Sequence, residues 1–482
     1  MKVKEEMNVS PSAVPSLPSE LVAKFRKIVG DKYAVTDAAD IEPYVTEERN
    51  LFHGRSPLVL RPGSTAEVAA IAKLANDTKT AIVPQGGNTG LVGGQIPHHN
   101  EVVLSLTRLD KIREVDPVSN TMTVEAGVTL QRAREAAANA GRLYPQLLPS
   151  EGTCTIGGNL STNAGGVAAV AHGISRSHAV GLEVVLADGR VLNALNKLKK
   201  DNTGYDLRDL FIGSEGTLGI ITAAVLKLVP RPRSMETAFA GVTSPQAAVD
   251  LLGVAMERSG GDVTSFEMML RDGVEAVVKL DSASRDPLVK PYPWYALIEL
   301  SSQQRLGLRE TMEEILSVGM ERGLVLDATI AESLDQAKSF WRIREMFGEV
   351  QRHLGGSIKH DISVPIAAIP AFIEEANAAV VELIPGARPM PFGHVGDGNI
   401  HYNVNQPVGA DKAQFLARWG DVNKVVFAVV KKYGGSISAE HGVGVMKRDI
   451  LSEYKDPVAM DLMRDLKTML DPNGILNPGK VL

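Results

Sequence analysis

Three histidines fall in two glycine-flanked runs, Gly393-His394-Val395-Gly396-Asp397-Gly398-Asn399-Ile400-His401-Tyr402-Asn403 and Ser438-Ala439-Glu440-His441-Gly442-Val443-Gly444. The Asp397-Gly398 dipeptide is a turn signal that folds His394 back toward His401. On an extended strand His401 and Asn403 point to the same side, because side chains alternate with period two. Two imidazoles and a carboxylate, His394, His401 and Glu440, offer three ligands for a divalent metal with coordination positions left for water or substrate. His441 then remains as an acid or base. The H-x6-H spacing with a distant glutamate matches no general metal pattern, so histidines hydrogen-bonded within a polar core are the competing reading.

Arg344 and Lys359 form a second group. The pattern predicts a helix over 339–353 carrying Arg344 and a strand over 357–364 carrying Lys359. Lys359 and Asp361 share a face of that strand, which allows a structural ion pair. Alternatively the two cations clamp a carboxylate, for which the planar guanidinium is suited. Phe340, Ile343 and Phe347 share a helix face and read as core.

A third chemistry is written in glycine. Pro84 to Gly94 holds five glycines in eleven residues and follows the apolar Ala81-Ile82-Val83 as a loop follows a strand. Such a run can turn several N–H groups inward around an anion, so a dinucleotide pyrophosphate is the expected ligand. The spacing fits neither G-x-G-x-x-G nor the P-loop, which excludes both of those folds. A second ligand-lining run spans Pro149 to Gly166, and Gly213-Ser214-Glu215-Gly216-Thr217-Leu218-Gly219-Ile220 leads into a strand.

These loops need elements to hold them. A helix over 21–29 is capped by Ser19 and stopped by Gly30. Ser64 to Glu67 has capping-box spacing before a helix leading to the strand 81–83. Strands follow at 102–106 and 121–128, with a helix from Thr129 to Gly141. Asp188-Gly189 marks a hairpin over 181–195. Beyond Pro230-Arg231-Pro232 the pattern becomes strands at 238–242, 295–300 and 324–330 separated by helices at 245–258 and 307–322, an antiparallel α+β layer. A last helix spans 457–470.

The 482 residues exceed one hydrophobic core, and 44% hydrophobic with 22% charged residues describes an ordinary globular composition. A net charge of −6 supplies no basic field, which argues against nucleic acid and anionic membrane surfaces as partners. Cys154 is the only cysteine, which excludes an internal disulfide and points to a reducing compartment, the cytoplasm. Neither a signal sequence nor an integral membrane segment is legible.

Together the five glycine-bearing motifs resemble the flavin dehydrogenases of the vanillyl-alcohol oxidase and p-cresol methylhydroxylase superfamily, over nearly the whole chain. Their wording is most similar to the FAD-linked D-2-hydroxy acid dehydrogenases, those of D-2-hydroxyglutarate first. The resemblance implies an α+β fold: an arm at 1–20, a two-subdomain FAD-binding domain of the p-cresol methylhydroxylase type at 21–232, an antiparallel substrate (cap) domain with the metal site at 233–445, and a segment at 446–482 returning to the FAD domain. It implies non-covalent FAD on Pro84, Gly86, Gly87, Asn88, Thr89, Gly90 and Gly94. It extends the cofactor site to Pro149, Gly152, Thr153, Gly157, Gly158, Asn159, Ser161, Asn163 and Gly165, and to Glu215, Gly219, Ile220 and Asn477. Asn88 and Thr89 stand where some relatives carry a flavin-linking histidine.

The resemblance further implies His394, His401 and Glu440 as ligands of a divalent metal, zinc first, with His441 as base. Asn403 would bind the substrate carboxylate, and Arg344 with Lys359 the distal carboxylate of a diacid. The implied reaction is oxidation of a D-2-hydroxy acid, best D-2-hydroxyglutarate, to the 2-oxo acid by hydride transfer to flavin N5. Gly348 departs from the hydroxyl residue common one helical turn after the arginine. Alternatives are a D-lactate dehydrogenase or glycolate oxidase flavin subunit, a redox-neutral flavin transferase, and a flavin-binding protein without turnover. The electron acceptor is a quinone, an electron-transfer flavoprotein or a cytochrome, and a homodimer is the expected assembly.

Overall fold

In a computed structural model, residues 17–482 are described. The expected arm at 1–20 lies outside them over residues 1–16, and Ser19 already belongs to the first helix, α1 (Ser19–Val29). Pro18 stands at the N-cap with no side-chain bond, so Ser19 does not cap α1. Gly30 ends it, as the sequence predicts.

Two short strands, β1 (Ala34–Val35) and β2 (Val59–Leu60), precede α2 (Thr65–Thr78). Ser64 caps α2 by accepting from the Glu67 amide, but Glu67 reaches back to the Gly63 amide, one residue beyond a standard capping box. β3 (Ile82–Gln85) and β4 (Val102–Ser105) complete a four-stranded sheet in the order β1-β2-β4-β3, with β4 parallel to both neighbours. Val68, Ile71, Ala72 and Ala75 of α2 pack on Ile82, Val102 and Leu104 in one buried cluster. β3 therefore ends rigidly at Gln85, and the glycine loop starts from a fixed point.

A second sheet is wholly antiparallel. It holds β5 (Ile112–Asp116), β6 (Thr121–Glu125), β7 (Ala179–Val185), β8 (Val191–Ala194) and β9 (Ile220–Lys227) in the order β5-β6-β9-β7-β8. The hairpin expected at Asp188-Gly189 joins β7 to β8. Two helices pack beneath it, α3 (Leu130–Asn139), capped by the Thr129 hydroxyl, and α4 (Ile156–Thr162), capped by Thr155.

The third sheet carries seven antiparallel strands. In chain order these are β10 (Ser234–Val242), β11 (Val263–Leu270), β12 (Trp294–Ser302), β13 (Val325–Ile330), β14 (Ser357–Ser363), β15 (Arg388–His394) and β16 (Asn399–Asn405). Their spatial order is β13-β10-β12-β11-β15-β16-β14. α5 (Arg271–Leu280) and α6 (Leu334–His353) share one buried cluster with Phe239, Met269, Leu297 and Phe392 of the sheet. α6 begins five residues ahead of the predicted start because Ser333 caps it through the Gln336 amide. The C-terminal helix α7 spans Pro457–Leu470 as predicted, and the tail after it pairs with β3 through Ile475 and Asn477.

By contacts the chain forms two units. The first holds residues up to Gly166, Ile174–Arg231 and Glu440–Leu482; the second holds Val167–Gly173 and Pro232–Ala439. Val167–Gly173 joins the second unit because the Ser265 hydroxyl of β11 bonds the Val167 carbonyl at 2.8 Å. The chain returns to the first unit at Glu440, ahead of the expected 446, because Glu215 already holds the amides of Val443 and Gly444.

Candidate active site

In the first unit the glycine loop leaves its backbone donors open. Among the described residues, no N–H from Gly86 to Gln95 donates to a protein acceptor, although Val92, Gly93 and Gly94 are buried. Buried amides without acceptors are rare, so this stretch fits an anion such as a pyrophosphate. Asn88 takes a positive φ of 56°, and its amide anchors the loop to the carbonyls of Pro43 and Thr46 at 3.0 and 2.9 Å. Thr89 and Gly90 lie on the same partly exposed stretch, and Gly94 leaves room for Glu215, whose Oε2 a Cβ there would meet at 2.9 Å.

The expected cofactor residues of the second glycine run divide by what they touch. A Cβ on Gly87 would collide with the Thr153 carbonyl at 1.9 Å, and one on Gly86 with Thr155 Oγ1 at 2.3 Å, so the two glycine runs lie against each other. Gly157 rests on Ala126 and donates its amide to the Ala126 carbonyl at 2.8 Å. Ile156 likewise donates to Val128, so the first amides of α4 are spent within the protein. Asn159 is buried with its amide on Cys154 Sγ, the Ser161 carbonyl accepts from Glu215, and Asn163 Oδ1 accepts from the Arg176 amide. These bonds hold loops in place. On the same run Pro149 and Gly152 are exposed and Gly158 is partly accessible, whereas Gly165 is buried and faces Glu440. Burial pushes the Cys154 thiol up, consistent with inert packing.

The Glu215 carboxylate accepts the Val443 and Gly444 amides, and burial holds it above the usual carboxylate range despite them. Asn477, at a positive φ of 44°, bonds the carbonyls of Gly94 and Glu215 at 2.9 and 2.8 Å. Its buried Oδ1 has no protein partner among the described residues. Gly219 packs on Val184 and Phe211, and Ile220 is buried in β9, so both serve the sheet. Glu440 and His441 are partly exposed, with Oε1 and Nε2 3.6 Å apart.

In the second unit the β15–β16 hairpin brings the His394 and His401 rings to 5.3 Å between centroids. His394 stands directly opposite Glu267 of β11, and Glu267 Oε1 accepts from His394 Nδ1. The other oxygen of Glu267 accepts from Arg344 Nε of α6, whose guanidinium lies 4.8 Å over the Phe392 ring. Burial raises the Glu267 pKa, but the cationic Arg344 and the His394 ring outweigh it and bring it down to about 2. Sequence reading missed this residue. Its signal was one acid among the buried apolar residues of β11.

Asn403 and Lys359 are engaged as well. Asn403 is buried and donates to Gln351 Oε1 at 2.7 Å, a partner the sequence did not single out. Lys359 is exposed, with Nζ 3.3 Å from the Gly348 carbonyl. A Cβ on Gly348 would meet no atom within 4 Å, so this helical glycine faces open space. Asp361 is buried and accepts from the Asn399 amide at 2.9 Å.

Residues 231–481 match the family of FAD linked oxidases, C-terminal domain, and residues 56–195 match the FAD binding domain. The chain belongs to the FAD-linked oxidases. This FAD-linked oxidase is 40% identical to a probable mitochondrial D-2-hydroxyglutarate dehydrogenase of Oryza sativa subsp. indica, over 97% of the chain and 82% of the relative. It is 35% identical to the D-2-hydroxyglutarate dehydrogenase of Stutzerimonas stutzeri, over 96% and 98%. Among solved structures, p-cresol methylhydroxylase with substrate bound superposes with a TM-score of 0.77 at 18% identity, covering 96% of each chain. Alkyldihydroxyacetonephosphate synthase gives 0.72 at 18% identity over 98% of this chain and 86% of that one. These two likenesses establish the p-cresol methylhydroxylase type of fold and carry no activity.

Proposed function

We propose that this FAD-linked oxidase oxidises D-2-hydroxyglutarate to the 2-oxo diacid, using a divalent metal held by His394, His401 and Glu440. The observation that carries the substrate is the 35–40% identity to D-2-hydroxyglutarate dehydrogenases over nearly the whole chain. The ligand chemistry supports the metal: a carboxylate on His394 Nδ1 selects the tautomer whose Nε2 carries the lone pair. Glu440 follows Ala439, whose amide lies 3.3 Å from the Asp361 carbonyl.

When bound, FAD would supply the acceptor for the C2 hydride, and a metal on His394, His401 and Glu440 would supply Lewis acidity toward the α-hydroxyl. His441 takes the hydroxyl proton, with its Nε2 3.6 Å from Glu440 Oε1. Asn403, oriented by Gln351, binds the α-carboxylate. Arg344 and Lys359 bind the distal carboxylate, and with Nε on Glu267 the guanidinium keeps its Nη groups for that task.

A second reading, oxidation of a monoacid such as D-lactate or glycolate, draws on the open space at Gly348, where the distal carboxylate has one hydroxyl donor fewer. The cytoplasm, as a reducing compartment, remains the proposed location, from the lone buried Cys154; the plant and animal relatives are named mitochondrial. No helix among the described residues is long and apolar enough to cross a membrane.

Anaerobic flavin bleaching by D-2-hydroxyglutarate, D-malate, D-lactate and glycolate, before and after chelation, tests the assignment. Fast bleaching by D-2-hydroxyglutarate that chelation removes is the expected result. Bleaching by D-lactate or glycolate alone would move the assignment to the second reading.

A further inference from the structure

Glu267 is fully buried, and each of its oxygens takes a different donor. One donor is a candidate metal ligand, His394; the other is the candidate grip on the distal carboxylate, Arg344. Strand register makes the first contact, because Glu267 and His394 are direct partners on neighbouring strands and project to the same face. Helix packing makes the second: Phe340, Ile343 and Phe347 of α6 are buried on that face, and Arg344 comes with them. A carboxylate wholly removed from water is tolerated only when paired, and this one is paired on both sides.

The two contacts constrain their partners in different ways. Accepting from Nδ1–H fixes the His394 tautomer and ring orientation, with the lone pair on Nε2. Accepting from Nε holds the guanidinium plane over Phe392, while among the described residues neither Nη group has a protein acceptor. We propose that Glu267 is a positioning residue that sets His394 for the metal and Arg344 for the distal carboxylate, so that one buried side chain organises both. This rests on the metal-assisted diacid reading above.

The test uses the full-length, FAD-loaded protein and Glu267→Gln. Glutamine offers one acceptor oxygen and an NH2, so either one contact is lost or His394 takes the opposite tautomer, with its proton on Nε2. Zinc affinity, measured by competition with a chromophoric chelator, is expected to weaken about 10- to 100-fold. The KM for D-2-hydroxyglutarate is expected to rise about tenfold or more, with a much smaller change for D-lactate. Glu267→Asp, which keeps the charge on a shorter arm, is expected to recover part of both. Glu299→Ala, which on the adjacent strand removes the acceptor of the Trp341 indole N–H, controls for loosening of the sheet and should leave zinc affinity unchanged.

Wild type that binds no zinc and oxidises D-2-hydroxyglutarate insensitively to chelators overturns the metal reading and this proposal together. Wild type that binds zinc, with Glu267→Gln unchanged in zinc affinity and in both KM values, overturns the role of Glu267 alone. Should neither Glu267 variant fold, 15N-histidine spectra of the wild type decide: Nδ1-protonated His394 supports the proposal, and the opposite tautomer overturns it.

Discussion

The carboxylate of Glu215 accepts the backbone N–H of Val443 at 2.7 Å across 228 residues of sequence. With the Gly444 amide at 2.9 Å on its other oxygen, this side chain fixes the backbone that follows His441. Glu215→Gln presents an NH2 to one of those amides. It should cost about 1.5–3 kcal/mol of stability and slow flavin reduction more than it lowers flavin content. Thermal melting and stopped-flow bleaching read the two effects, and full-speed reduction would remove Glu215 from positioning His441.

Gly348 lies inside α6 with open space where a side chain would project. Gly348→Ala should stabilise the protein by about 0.5–1 kcal/mol, since a helical alanine loses less backbone freedom on folding. Gly348→Ser adds a hydroxyl near Lys359 and should lower the KM for D-2-hydroxyglutarate several-fold while leaving D-lactate alone. Equal shifts for both substrates would show that the space is not used by the distal carboxylate.

His441→Ala should reduce the rate of substrate-driven flavin bleaching about 100-fold or more, the usual contribution of a positioned base, with FAD still bound. Retained single-turnover reduction would sink its role. His401→Ala should lower metal content and activity together, read by elemental analysis beside turnover.

His98 gives a pH signature. Burial, aided by the positive charge of Lys480, lowers its pKa from 6.5 to about 4. The unfolded ring binds a proton between those values and the folded ring does not, so stability is full above pH 6.5 and falls as the pH drops toward 4. The loss amounts to roughly 3 kcal/mol at most. Urea midpoints between pH 4 and 7 should therefore decline more steeply in the wild type than in His98→Gln, and parallel curves would refute it.

Much of the scaffold was legible because its causes are local. Caps at Ser64 and Thr129, the Asp188-Gly189 turn, the stop at Gly30 and the helix Pro457–Leu470 each depend on a few consecutive residues. Glycine density likewise announced a loop with unspent amides, and the structure leaves those from Gly86 to Gln95 without protein acceptors among the described residues. The histidine hairpin followed from a two-residue turn signal, and the fold class from the family resemblance of the glycine-bearing motifs.

Which polar groups meet was decided by tertiary structure alone. Glu267 reaches His394 because strand order sets β11 beside β15, and it reaches Arg344 because an apolar helix face happens to bring that arginine along. Glu215 and Asn163 each also bond a distant segment of the protein, the Val443 amide and the Arg176 amide, which no local pattern announced. A residue's type states what bonds it can make. Its partner depends on register and packing between segments tens to hundreds of residues apart, and no periodicity or spacing in the chain encodes that distance.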